Sequence, residues 1–257
     1  MPSHAVGSVQ LLNCVSGHAI TISTLRDFAR KPENLICLIQ EPWCDRHGNS
    51  PLLPNFNLFL PTPTKPRYAT YVHQLPGLTA TTTFTVQDSF LGTTITLQQE
   101  QHTTSFTIFN LYSPGRPELL AALLPSRSIP ANCMIMGNLN AHHPWWQGPL
   151  RHTACTSPTS HAIAQWLEHK NFHLQNEPAI AIHHPWNGSS SSTINLYLTR
   201  GDTTRHSLSL AIEDDTTSAY SSLTATLSVP YSAPTPKPYR CWNKATWNSF
   251  NSHIQSA

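Results

Sequence analysis

The sequence is poor in charge. Asp, Glu, Lys and Arg make up 11% of its 257 residues, under half of the roughly 25% usual in soluble domains. Fifteen basic residues against 13 acidic ones leave a formal net charge of +2, so the strong positive field of a protein that grips nucleic acid by charge alone is missing. No apolar run approaches the roughly 18 residues of a membrane span. The opening MPSHAVGSVQ has neither the basic nor the long apolar region of a secretory signal. The six cysteines, Cys14, Cys37, Cys44, Cys133, Cys155 and Cys241, form no CxxC pair, and Cys37 and Cys133 sit in apolar runs where a reduced thiol packs as a small hydrophobe. These absences point to an intracellular protein, nuclear or cytoplasmic, with no membrane partner.

What the chain has is a globular hydrophobic content of 39% with 7 Trp, 9 Phe and 7 Tyr. Strands are expected at 7–14, in NLICLIQEP at 34–42, at 67–73, 80–86, 91–98 and 104–112, in ANCMIMG at 131–137, in STINLYLT at 192–199 and in LTATLSV at 223–229. Helical spacing marks 22–34, where Leu25, Phe28 and Ala29 share a face, the short RPELLAALLPS at 116–126, and 157–171, where Ser157 and Pro158 are start signals before Ile163, Trp166 and Leu167. Strands and helices mix without regular β-α-β alternation, which favours an α+β sandwich over a doubly wound sheet. The domain is expected over 5–228. A Pro-rich linker follows at 229–239, and then, at 240–257, the start of a helix in which Trp247, Phe250 and Ile254 fall at helical spacing.

The chemistry gathers at strand ends. Asn13, Glu41, the pair Asn138 and Asn140, and Asn195 each follow or end an apolar run. A single polar strand end means little, but the order and spacing of these carry more. LLN at 11–13, LICLIQEPW at 35–43, YATYV at 68–72, FNLYSPG at 109–115, MGNLNAHHPWWQG at 136–148, SSTINLYL at 191–198 and DDTTSAYSSL at 214–223 follow one another in a fixed sequence. In that order they resemble the motifs of the endonuclease/exonuclease/phosphatase family, most of all the endonuclease domain of non-long-terminal-repeat (LINE-like) retrotransposons. CWNKATWNSF at 241–250 is similar to the start of the linker that leads to a reverse transcriptase in such polyproteins.

The resemblance implies a four-layer sandwich of two mixed, largely antiparallel sheets flanked by helices. It also implies hydrolysis of a DNA phosphodiester with Mg²⁺ or Mn²⁺ held by oxygen ligands, and a reverse-transcriptase region as partner in a longer parent chain. By the same resemblance Asn13 and Glu41 are metal positions. Tyr112, Asn138, Asn140, Asn195, Ala219 and Tyr220 are catalytic positions, and Asn110, His143 and Trp145 lie towards nucleic acid. Four of these depart from the pattern: Asn138 and Asn195 stand where the family has Asp, and Ala219-Tyr220 where it has Asp-His.

Each departure removes a function. An Asn amide is neutral and is neither a carboxylate base nor a source of the charge that balances a metal. A phenol with a reference pKa near 10 is a poor base at neutral pH, and Ala219 has no carboxylate to orient it. The chain is therefore read as a retrotransposon-type endonuclease domain that is catalytically degenerate, the rival readings being an active or weakly active Mg²⁺-dependent endonuclease and a noncatalytic module that binds nucleic acid or protein. The histidine pairs 142–143 and 183–184 suggest zinc at first sight. Neighbouring side chains on an extended chain point to opposite faces, so zinc is not expected.

Overall fold

The computed structural model describes residues 5–13, 25–31, 33–86, 90–99, 102–113, 118, 121, 128–148, 156–178, 180–185, 191–213 and 220–229. The expected linker at 229–239 apart from Val229, the helix start at 240–257, most of the helix expected at 116–126 and Ala219 lie outside these residues.

Among the described residues twelve strands form two six-stranded sheets. The first holds β1 (Ala5–Asn13), β2 (Asn34–Gln40), β3 (Phe56–Phe59), β4 (Tyr68–His73), β11 (Ser207–Glu213) and β12 (Ser222–Val229), in the spatial order β11-β12-β1-β2-β4-β3. The second holds β5 (Leu78–Val86), β6 (Phe90–Gln99), β7 (His102–Tyr112), β8 (Cys133–Asn138), β9 (His173–Leu174) and β10 (Asn195–Arg200), in the order β5-β6-β7-β8-β10-β9. Each sheet has one parallel pair near its centre, β1 with β2 and β7 with β8, and its other pairs are antiparallel.

The central strands are apolar without a break because both of their faces are covered. Along β2 the residues alternate between two cores: Ile36 and Leu38 pack towards the second sheet, while Cys37 and Ile39 pack with Leu25 and Phe28 of the helical segment 25–30. In the second sheet Met134, Met136 and Tyr197 enter the core between the sheets, where Ile95, Ile108 and Leu223 meet them. Cys133, Ile135, Leu196 and Leu198 face the other way, against Ile163, Trp166 and Leu167 of the helix Pro158–His169. Ser157 caps that helix by accepting from Ser160 N at 3.1 Å, and Pro158 opens it. The layers run helix, sheet, sheet, helix, as expected.

Two side chains lock the sheets together near the strand ends. Gln40, fully buried, donates from Nε2 to Leu111 O at 2.6 Å. Asn110, also fully buried, donates from Nδ2 to Ala69 O at 2.9 Å. Gly137 on β8 faces the same seam. A Cβ there would stand 1.8 Å from Leu111 O and 2.9 Å from Gln40 Nε2, so the close approach requires glycine.

Candidate active site

Strand register brings the expected positions into one row. Tyr112 on β7 pairs with Asn138 on β8, and Asn138 pairs with Asn195 on β10. Glu41 follows β2 in the facing sheet, held by its N–H to Arg67 O at 2.7 Å. It adopts a left-handed backbone (φ 50°), an unusual conformation for a residue other than glycine. The gap between the sheets is closed by the Tyr112 hydroxyl, which donates to Glu41 Oε1 at 2.5 Å, and Arg67 Nη1 lies 3.6 Å from the same oxygen. Burial, followed by the Glu41 carboxylate, holds the Tyr112 phenol far above its usual pKa and therefore protonated.

Asn138 turns the chain at the end of β8. Its Oδ1 accepts from Asn140 N at 2.7 Å, a local turn that leaves Asn140 at φ 48°, and Asn140 Nδ2 donates to Ser113 O. The rest of the row is poorly satisfied. Both amide atoms of Asn195 and Ser113 Oγ are buried without a hydrogen-bond partner. Such groups usually find partners, and each buried orphan costs about 1–3 kcal/mol.

Tyr220 joins the row from the other sheet's approach. It bridges His183 as an isolated β-pair and packs its ring 4.5 Å from that imidazole. Its phenol is raised above the ordinary pKa by burial first and then by the Glu41 charge, while the adjacent Asn138 amide pulls the other way. Tyr220 thus lies in the electrostatic field of Glu41 as a neutral phenol. Its neighbour Ala219 is outside the described residues, and of Asn13 the structure describes the backbone, at the end of β1 beside Gln40.

The positions expected towards nucleic acid separate. Asn110 is wholly buried and works as a tie between the sheets, its amide also near Ile39 O and Thr70 Oγ1, both at 3.4 Å. His143 caps the short helix Pro144–Gln147, accepting from Trp145 N at 3.2 Å, and packs 5.0 Å from the Trp146 ring. Burial and then His161 hold its imidazole below the ordinary pKa, hence neutral. Trp146 is a core residue that donates Nε1 to Ala141 O at 3.0 Å, whereas Trp145 is half-buried and borders a cavity of about 600 Å³ along the helix Pro158–His169.

Among the described residues Glu41 is the carboxylate beside the row formed by Tyr112, Asn138, Asn140, Asn195 and Tyr220, and its Oε1 is already engaged by Tyr112 and faced by Arg67. Among the described residues no group of three or more His, Cys, Asp or Glu could hold a metal ion. This donor set fits a hard divalent cation poorly, since amides supply neither the charge nor, through Nδ2, a ligand atom. Two features escaped the sequence reading: the Gln40 tie, whose only signal is a polar residue inside a fully buried strand, and Arg67, which the fold brings beside Glu41 from 26 positions away.

Residues 106–222 match the family described as endonuclease-reverse transcriptase. Comparison with curated proteins finds no match. Among solved structures the chain is similar to the endonuclease domain of TRAS1, a telomere-specific non-LTR retrotransposon, with TM-score 0.67 and 15% identity over 87% of this chain and 99% of that one. It is also similar to the AP endonuclease LMAP from Leishmania major, with TM-score 0.67 and 12% identity over 90% of both chains. The 3'-5' exonuclease NExo from Neisseria meningitidis has TM-score 0.59 and 10% identity over 86% of this chain and 100% of its own. The match to the endonuclease-reverse transcriptase family thus covers residues 106–222, in a chain whose fold is that of the endonuclease/exonuclease/phosphatase structures.

Proposed function

We propose that this chain is a retrotransposon-type DNA endonuclease domain that has lost strand cleavage while keeping the fold and a DNA-facing surface. The observation that carries the reading is the row Tyr112, Asn138, Asn195 with Tyr220 beside it, where amides and a neutral phenol stand at positions that the resemblance gives to charged groups. Loss of a general base alone typically costs about 10²–10⁴ in rate, and losses within a set that acts together run larger. The Tyr112 hydroxyl donates to Glu41 Oε1 at 2.5 Å, which supports the reading that an architecture for placing a phosphate is retained. Mg²⁺ or Mn²⁺ is the cation of the ancestral chemistry, and no step in this chain is routed through it.

The partner follows from the same reading: DNA, and a reverse-transcriptase region in a longer parent chain. Cys37 and Cys133 are buried in the cores, in keeping with an intracellular, reducing environment, and no helix among the described residues is long and apolar enough to cross a membrane.

The test is a nicking assay on supercoiled plasmid with Mg²⁺ and with Mn²⁺. The unmodified chain is run beside a variant carrying Asn138→Asp, Asn195→Asp, Ala219→Asp and Tyr220→His. Cleavage by the variant alone is the expected result. Cleavage by the unmodified chain would establish the rival reading of an active Mg²⁺ endonuclease. DNA binding without cleavage by either would favour a noncatalytic binding module.

A further inference from the structure

Beside Glu41 the surface opens into a groove of about 460 Å³ whose walls are Glu41, Pro42, Trp43, Cys44, Lys65, Pro66 and Arg67. In the sequence Lys65 and Arg67 belong to no motif. The fold places both in one groove with an aromatic ring, in a chain that has few charges to spend. Lys65 and Arg67 are exposed and Trp43 is half-buried, so the cations reach solvent while the indole lines the wall.

The groove is built. Lys65 holds a left-handed backbone at φ 48°, fixed by its N–H to Gly48 O at 2.7 Å. The turn that carries Gly48 is itself tied down by Asp45, whose Oδ1 accepts from His47 N at 2.8 Å and from Asn49 N at 2.9 Å. The opposite wall is fixed by Glu41 N to Arg67 O, and Glu41 too is left-handed at φ 50°. Two non-glycine residues in a sparsely populated conformation, each secured by neighbouring loops, are the mark of a surface shaped for use. The Asp45 carboxylate is consumed by its turn, which lowers its pKa and leaves it bound to amides.

We propose that this groove seats one unpaired nucleotide of a DNA strand, with Lys65 and Arg67 on its backbone phosphate and Trp43 against its base, and that it does so without a divalent cation. The proposal rests on the reading of the chain as a DNA-facing domain and goes beyond it in naming the contact and the strand form. Charge complementarity selects the occupant: two exposed cations suit a phosphodiester, and an aromatic wall suits an unstacked base, which a closed duplex does not offer. Arg67 also draws on Glu41 at 3.6 Å. A phosphate arriving at the guanidinium would therefore be sensed at the family site next to it. The donor set is complete without a metal, in keeping with the poor fit of a divalent cation to the neighbouring row.

The experiment is fluorescence anisotropy with an end-labelled single-stranded 20-mer and the matching blunt duplex, in EDTA and in Mg²⁺, across a salt series. The whole chain is used, with melting curves to establish that each variant folds. The single strand is expected to bind more tightly than the duplex, equally in EDTA and in Mg²⁺. Lys65→Gln is expected to reduce the slope of log affinity against log salt by about one contact. Trp43→Ala is expected to weaken single-strand binding by about five- to hundred-fold, with Trp43→Phe restoring most of it. If the unmodified chain binds neither DNA form, the underlying DNA-facing reading fails. If it binds but folded Lys65→Gln and Trp43→Ala bind as it does, prefers the duplex, or needs Mg²⁺, the groove assignment is overturned and the DNA-facing reading stands.

Discussion

The hydroxyl of Tyr112 donates to Glu41 Oε1 at 2.5 Å across the gap between the two sheets. This bond joins the end of β7 to the residue after β2, so the two halves of the candidate site are held by one proton. A hydrogen bond to a charged acceptor contributes about 1.5–3 kcal/mol, and Glu41 is partly exposed, which places the expected loss for Tyr112→Phe at the lower end, near 1–2 kcal/mol. Urea denaturation at neutral pH measures it. Glu41→Gln keeps an acceptor oxygen and should cost less; a larger loss than for Tyr112→Phe would mean that the pair with Arg67, not the phenol, holds Glu41.

Gly137 permits the seam between the sheets. An added Cβ would meet Leu111 O at 1.8 Å, which is backbone and has no rotamer to escape into, and would crowd Gln40 Nε2 at 2.9 Å. Gly137→Ala should therefore displace β7 from β8 and break the Gln40 tie, at a cost of about 3 kcal/mol or more. The expected outcome is a lower urea midpoint with the slope unchanged. A stability equal to that of the parent would show that the strands have room to separate.

Much of this was legible in the sequence where residues speak through period or motif. NLICLIQ announces β2 because both of its faces are buried, and Ser157-Pro158 announces the helix that follows. The row Tyr112, Asn138, Asn195 was legible through motif order, since register turns three separate strand ends into neighbours. The edge elements were not. β3 has four residues, β9 has two, and β11 has an apolar alternation that faces outward at Leu208, which is 55% exposed. Asn110 shows the limit for single residues: a motif marks it as part of the site, but the structure buries it as a tie between sheets. Lys65 and Arg67 carry no local signal, because what gives them meaning is a groove made by loops from different parts of the chain.

Asn195 illustrates a site kept at the expense of stability. Both atoms of its amide are buried and unpartnered, although its backbone oxygen accepts from Asn176 Nδ2 at 3.2 Å. A side chain that makes no hydrogen bond loses none on replacement. Asn195→Leu removes only the desolvation cost of the amide, about 1–3 kcal/mol. The variant is expected to be more stable than the parent by about 1 kcal/mol, seen as a higher melting temperature. A destabilised variant would mean that a water or ligand completes the amide in solution.

At alkaline pH buried phenols decide how steeply stability falls. Tyr197 is fully buried, and burial pushes its phenol up to about 12 while its bond to Ser207 Oγ at 3.1 Å pulls slightly the other way. The folded chain therefore keeps a proton that the unfolded chain releases above pH 10 or so. Stability is whole below that point and falls as pH rises towards 12, by about 1.4 kcal/mol for each unit. Burial raises the Tyr112 and Tyr220 phenols in the same sense, and the buried Cys133 thiol, pushed up to about 12, adds a loss that begins nearer 9. Urea melts between pH 8 and 11.5 should show a steepening loss of stability. Tyr197→Phe gives up the Ser207 bond at neutral pH but should remove about one proton from the alkaline slope, so that parent and variant converge as the pH rises. Parallel curves for the two would mean that Tyr197 titrates in the folded chain as it does in the unfolded one.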